Sequence, residues 1–166
     1  MLFLEVVVLI IALLVAAFLK AKQDANKPSP VLPYVVQARL LTPTEERFHL
    51  VLAQAGGDRY LLACKPRMAD ILKTQPPNQS AFNKISAKHF DFVLCDKATT
   101  RPLLAVELDD PTHRRSSAQA RDAVKDAACH AAQLPILRVP VQSEYDKAYL
   151  QKRIAETIGK TSVNNA

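Results

Sequence analysis

The chain has 166 residues, 49% of them hydrophobic, three cysteines and a formal charge of +6. That apolar content excludes a disordered chain and leaves room for one domain of ordinary size with short extensions. The odd number of cysteines (Cys64, Cys95, Cys129) and the lack of any C-x-x-C spacing argue against a disulfide framework and a zinc ribbon, and for buried thiols.

Residues 2–19, LFLEVVVLIIALLVAAFL, are apolar except for Glu5. As a helix rising 1.5 Å per residue they span about 27 Å, close to one hydrocarbon core. A cleaved signal peptide is the alternative, but it calls for a positive n-region and a small-residue cleavage site. The sequence opens MLFLE, without Lys or Arg, and no clear A-x-A site follows. The expectation is one uncleaved transmembrane helix. Lys20, Lys22 and Lys27 follow it, and basic flanks stay on the cytoplasmic side. The carboxyl-terminal domain is therefore expected in the cytoplasm, at the inner membrane. The span holds one acid and no Lys or Arg, so the remainder carries 22 basic and 15 acidic residues, a balance of +7. Such a balance favours a polyanionic partner, either nucleic acid or the anionic inner leaflet.

Residues 20–34, KAKQDANKPSPVLPY, read as a semi-extended linker. A domain then runs over 35–158, with 159–166 as a tail. In LTPTEERFHLVLAQAGG, Thr42 suits an N-cap, Pro43 suits N1 and Glu45 falls at N3, which makes a capping box. Phe48, Leu52 and Ala55 continue one apolar face, and Gly56 and Gly57 stop the helix. RYLLACKP contains a short strand at about 59–64. Residues 65–88 include Pro66, Pro76 and Pro77 and read as an insertion or active-site flap, with short helices near Met68–Leu72 and Ala81–Ser86. FDFVLCD and PLLAVELD are strands joined by the polar turn DKATTR. SSAQARDAVKDAACHAAQ is an Ala-rich helix capped by Ser116 or Ser117. LPILRVPV is a strand, and DKAYLQKRIAETIG closes the domain as an amphipathic helix.

The carboxylates of this hairpin stand where burial penalises them. With the turn centred near Thr99, Asp91 lies opposite Glu107, Val93 opposite Ala105 and Cys95 opposite Leu103. Residues at i and i+2 share a face, so Asp91, Glu107 and Asp109 converge at one end of the sheet. Clustered, buried carboxylates resist ionisation. A hard cation resolves the conflict, since Mg²⁺ takes one or two carboxylates and accepts substrate phosphates. Plainer readings stand beside this one. Asp109 and Asp110 precede Pro111 and can open a turn. Glu107 can pair with Arg138 or Arg121. Lys125 and Arg121, at i,i+4, can be a solvated helix face. His113 can satisfy a backbone group.

The order α-β-β-β-α-β, with Asp91 opening the second strand and Glu107 near the end of the third, resembles the PD-(D/E)XK restriction-endonuclease-like superfamily. More narrowly, residues 40–158 resemble the bacterial family called domain of unknown function 2726, through LLTPTEERF, AFNKISAKHFDFVLCD, LLAVELDDPTH, RDAVKD and LPILRVPV. The segment ELDDPTH also resembles the E-x-D-G-x-x-H motif of very-short-patch-repair-like nucleases. The resemblance implies an α/β fold: a restriction-endonuclease-like αβββαβ core with a mixed central sheet flanked by helices, here preceded by one transmembrane helix. It makes Asp91 and Glu107 the metal carboxylates and Glu45 an accessory acid. Asp109 stands where the superfamily usually carries its lysine. Asp109 is then an added metal ligand with His113 as general acid/base, or Lys125 supplies the missing cation from the following helix. Lys84, Arg114, Arg115 and Arg121 are the candidates for contact with nucleic acid. For Lys84 and its neighbour Asn83 a local helix-stabilising role ranks first.

The leading expectation is a membrane-tethered nuclease using Mg²⁺ or Mn²⁺, with DNA ahead of RNA as substrate. A non-catalytic nucleic-acid-binding module on the same scaffold is the alternative, and a protein-interaction domain is the third. The absence of Trp argues against single-strand binding by base stacking. Any self-association is expected to give an isologous homodimer.

Overall fold

The computed structural model describes residues 1–25, 32–109 and 116–163. Within them, the side chains of 2–4, 24, 25, 116–122 and 161–163 are outside the description. The chain divides into two compact units, Met1–Gln37 and Ala38–Ala166.

The first unit contains helix α1, Leu2–Ala25. Val8 to Ile11 and Leu13 to Val15 are all exposed. Consecutive residues on a 3.6-residue turn point in every direction, so α1 is apolar all round rather than amphipathic. Among the described side chains Glu5 and Lys20 bound an apolar run of residues 6–19, about 21 Å long at 1.5 Å per residue. A hydrocarbon core is about 30 Å thick. Among the described residues no helix is long and apolar enough to cross a membrane. The expected segment is thus helical, while the transmembrane crossing expected of it is not supported on those residues.

In the second unit, α2 is Pro43–Gly56. Thr42 is its N-cap, Pro43 starts it and Glu45 closes the capping box, as the local sequence requires. Gly57 ends it at φ +56°, a left-handed backbone that favours glycine. Strand β1, Tyr60–Cys64, follows; α3 is Met68–Ile71 and α4 is Gln79–Ile85, the latter capped by the Asn78 side chain. Strands β2, Phe92–Asp96, and β3, Pro102–Asp109, form the hairpin. Helix α5 is Ser116–Ala131, β4 is Ile136–Pro140 and α6 is Lys147–Val163.

The four strands form one mixed sheet in the order β1-β2-β3-β4. The first two pairings are antiparallel, and β3 and β4 are parallel, as the intervening α5 requires. Val93 faces Ala105, as expected, but Cys95 faces Pro102 rather than Leu103, because the register shifts after Leu94. The cause lies in the turn: the Asp96 carboxylate accepts from the backbone of Ala98 and Thr99 and from the Thr99 hydroxyl, and Thr100 takes φ +59°.

Side-chain alternation along β2 and β3 splits the core in two. Phe92, Leu94, Leu104 and Val106 pack with Phe48 and Leu52 of α2 and with Leu150 and Ile154 of α6. Val93, Cys95 and Ala105 pack on the other face with Met68, Ile85, Phe90 and Cys129. Burying each large apolar side chain contributes about 2 kcal/mol. Within residues 65–88 the two expected short helices are present as α3 and α4, and their Met68 and Ile85 belong to the second core. Among the described residues all three cysteines are free thiols.

Candidate functional site

The site lies where β2 begins and β3 ends. Asp91 immediately precedes β2. Its Oδ2 accepts from the backbone N–H of Leu108 at 2.9 Å, so the carboxylate closes the end of the hairpin. Its Oδ1 accepts from Lys65 Nζ at 3.3 Å. Lys65 follows β1 directly and stands next to the pair Cys64 and Phe92 in the β1–β2 register. Its backbone N–H also donates to the Asp91 carbonyl at 2.9 Å.

The Lys65 ammonium makes a second, close contact with Oε1 of Glu45. The other Glu45 oxygen accepts from the Thr42 backbone N–H at 2.9 Å, completing the capping box. Capping and site membership therefore coexist in one carboxylate. Burial works to raise the Glu45 pKa, but the Lys65 hydrogen bond and the Thr42 N–H outweigh it, and the net direction is down. For Lys65, burial works to lower the pKa and its two carboxylate partners carry it up instead.

Glu107, on the α5 face of β3, is 5% exposed. Lys125 of α5 donates to its Oε2 at 2.6 Å. Among the described residues its Oε1, which is buried, has no hydrogen-bond partner. Burial pushes the Glu107 carboxyl up to about 7; Lys125 opposes the rise and Asp91 adds to it. Lys125 also lies 6.0 Å from the centre of the Phe90 ring, so an aromatic face and a carboxylate both hold its cation.

Asp109 shares the Glu107 face but is engaged elsewhere. Arg138 of β4 donates to Asp109 at 2.9 Å and to Asp126 of α5 at 2.8 Å. Arg138 stands opposite Glu107 in the parallel register, yet Glu107 takes Lys125. The Arg138 guanidinium, despite burial, is held well above its ordinary pKa by hydrogen bonds to Asp126 and Asp109.

The structure thus brings together Glu45, Asp91, Glu107 and Lys125 of the expected residues, adds Lys65, and ties Asp109 to Arg138. Lys84 is exposed on α4 and contributes no contact to this network, and Asn83 accepts locally from Gln79 at 2.7 Å. His113, Arg114 and Arg115 lie outside the described residues, as does the Arg121 side chain. Sequence reading missed Lys65. The signal was the register: a basic residue just past β1 stands beside the acid that opens β2. Among the described residues no three His, Cys, Asp or Glu side chains are grouped as a metal cluster. What is present is two acids close enough to feel each other's charge, Asp91 and Glu107, with one buried oxygen that has no partner among the described residues. A pair of carboxylates fits Mg²⁺, which keeps several waters.

A mixed sheet with helices on both faces, carrying acids and lysines at one end of its central hairpin, defines an α/β domain with a compact polar site. The family model described as "Protein of unknown function (DUF2726)" matches residues 37–158, and the chain belongs to that family. No curated protein and no solved structure matches the chain.

Proposed function

We propose that the domain is a metal-dependent nuclease of the PD-(D/E)XK restriction-endonuclease-like kind, hydrolysing phosphodiester bonds in nucleic acid, DNA ahead of RNA. The observation that carries this reading is Glu107: a buried carboxylate with one oxygen on Lys125 and the other without a partner among the described residues. Burying such an oxygen is costly unless something completes it. Asp91 and Glu107 would hold Mg²⁺ or Mn²⁺. The ion, when bound, supplies positive charge beside a phosphate and acidifies a water.

The chain's own cations do the rest. Lys125 uses one of its three donors on Glu107, which leaves two for a phosphate oxygen. It takes the part that Asp109 cannot play, because Asp109 is negative and already neutralised by Arg138. Asp91, fixed by the Leu108 N–H, keeps the site at the sheet end.

The membrane part of the proposal rests on α1. Between Glu5 and Lys20 its exposed side chains are apolar in every direction, and Leu2, Phe3 and Leu4 add apolar residues before Glu5 in the sequence. Lys20 and Lys22 can snorkel toward an anionic inner leaflet. The nuclease would then work at the cytoplasmic face of the inner membrane.

The test sets the protein beside Glu107→Ala with supercoiled DNA, linear DNA and structured RNA, in Mg²⁺, Mn²⁺ or EDTA. Metal-dependent cleavage by the wild type alone supports the reading. No cleavage, together with no Glu107-dependent divalent binding by calorimetry, overturns it. A non-catalytic nucleic-acid-binding module is the second reading, favoured by the lack of a three-ligand cluster among the described residues. It predicts salt-sensitive binding that survives Glu107→Ala.

A further inference from the structure

We propose that Lys65 is a built-in cation that occupies the position a second divalent ion would take between Glu45 and Asp91. The site then takes one divalent ion, at Asp91 and Glu107, and Glu45 is not among its ligands. This deepens the nuclease reading and rests on it.

Three observations support the assignment. First, Lys65 Nζ bridges two carboxylates that come from separate elements, α2 and the start of β2. Two acids brought together around a cation is the arrangement a divalent ion makes in a two-ion site. Here an ammonium already fills it. Second, the ammonium is tethered by its backbone. Lys65 takes φ +52°, a left-handed conformation that costs a non-glycine residue about 1–2 kcal/mol. Its N–H to the Asp91 carbonyl holds that conformation beside the acid it neutralises. Third, the acids differ in what they leave open. Asp91 accepts from the Leu108 N–H, next to Glu107, whereas both Glu45 oxygens are taken by Lys65 and the Thr42 N–H, and among the described residues Glu107 Oε1 accepts no hydrogen bond.

Charge gives the same answer. The three carboxylates Glu45, Asp91 and Glu107 against the two ammonium groups Lys65 and Lys125 leave a net −1 when all are ionised. One divalent ion brings this to +1, which a phosphodiester neutralises. A second ion would leave the loaded site with an excess of +2, an arrangement that low-dielectric surroundings oppose.

The test is calorimetric titration of Mn²⁺ into the metal-free protein, with circular dichroism to verify folding of each variant. The wild type is expected to bind one ion, and Glu45→Gln still to bind one, with an affinity loss below about tenfold from the lost charge. Lys65→Met is expected to admit a second ion, which Lys65→Met/Glu45→Gln loses. Two ions in the wild type, one of them lost in Glu45→Gln, would overturn the proposal, and so would a folded Lys65→Met that still takes one. If Lys65→Met does not fold, Glu45→Gln decides: a tenfold or greater loss of affinity overturns the assignment, and a smaller one sustains it. A wild type that binds no Glu107-dependent ion fails differently, removing the metal reading itself and this inference with it.

Discussion

Replacing Glu107 with Gln removes one titrating carboxyl from the core and nearly preserves its volume. Glu107 has its carboxyl raised from an ordinary 4.5 to about 7, chiefly by burial and against the pull of Lys125. A raised acid binds its proton more tightly in the folded chain. Between those two values the folded state holds more protons than the unfolded state, so stability falls as pH rises through that window. It is fully present below the lower value and lost above the higher one. Linkage over this interval gives a loss of about 2–3 kcal/mol between pH 5 and pH 8.

Other groups titrate over the same range, but they do so in both proteins. The measurement is therefore a difference: urea unfolding of wild type and Glu107→Gln at half-unit steps from pH 5 to 8, in metal-free buffer, followed by far-ultraviolet circular dichroism. The wild type is expected to lose about 2–3 kcal/mol more than the variant across that range. Any constant offset, such as the cost of leaving Lys125 with a neutral partner, cancels in the slope. Parallel pH profiles would refute the reasoning, since Glu107 would then titrate alike in the folded and unfolded chains despite its burial.

Thr42→Ala removes the hydroxyl that accepts the Glu45 N–H at 3.3 Å, and should cost about 1 kcal/mol in chemical denaturation. Phe48→Ala empties a fully buried position whose ring is tilted against Phe92 and meets Tyr145 edge-on, and should cost about 3–5 kcal/mol in the same assay. Cys129, whose thiol is pushed up to about 12 by burial and by nearby Glu107 and Asp126, should resist a disulfide reagent at pH 8 in the folded protein, while half-buried Cys64 reacts first. Arg138→Met leaves Asp109 and Asp126 without their shared partner and removes a positive charge near Glu107. The stability-loss window of Glu107 should then move to higher pH.

The parts of the fold that were legible in the sequence are those whose causes are local. Thr42, Pro43, Glu45 and Gly57 specify α2 within one short segment, and each acts as expected. The hairpin register was legible at Val93 and Ala105 but not beyond Leu94, because Asp96 reorganises the turn through three hydrogen bonds that alternation does not encode. The second core was hidden for a related reason. Met68 and Ile85 come from separate short helices and Phe90 from the segment before β2, so no single helical or strand period links them, and the prolines between them suggest an insertion or flap.

The site divides along the same line. Its acids are placed by strand geometry that can be read from one hairpin, and Asp91 and Glu107 stand where that geometry puts them. Its cations come from elsewhere. Lys65 lies 20 residues from Glu45 and 26 from Asp91, Lys125 lies 18 from Glu107, and Arg138 lies 29 from Asp109. Pairing of that kind depends on which strands become neighbours and on how α5 crosses back over the sheet. Charge balance still constrains it. Buried acids need compensation close to their own number, or burial drives protons onto them. Lys65 and Lys125 supply much of it, and burial, with Asp91 nearby, still raises the Glu107 carboxyl to about 7 against the pull of Lys125.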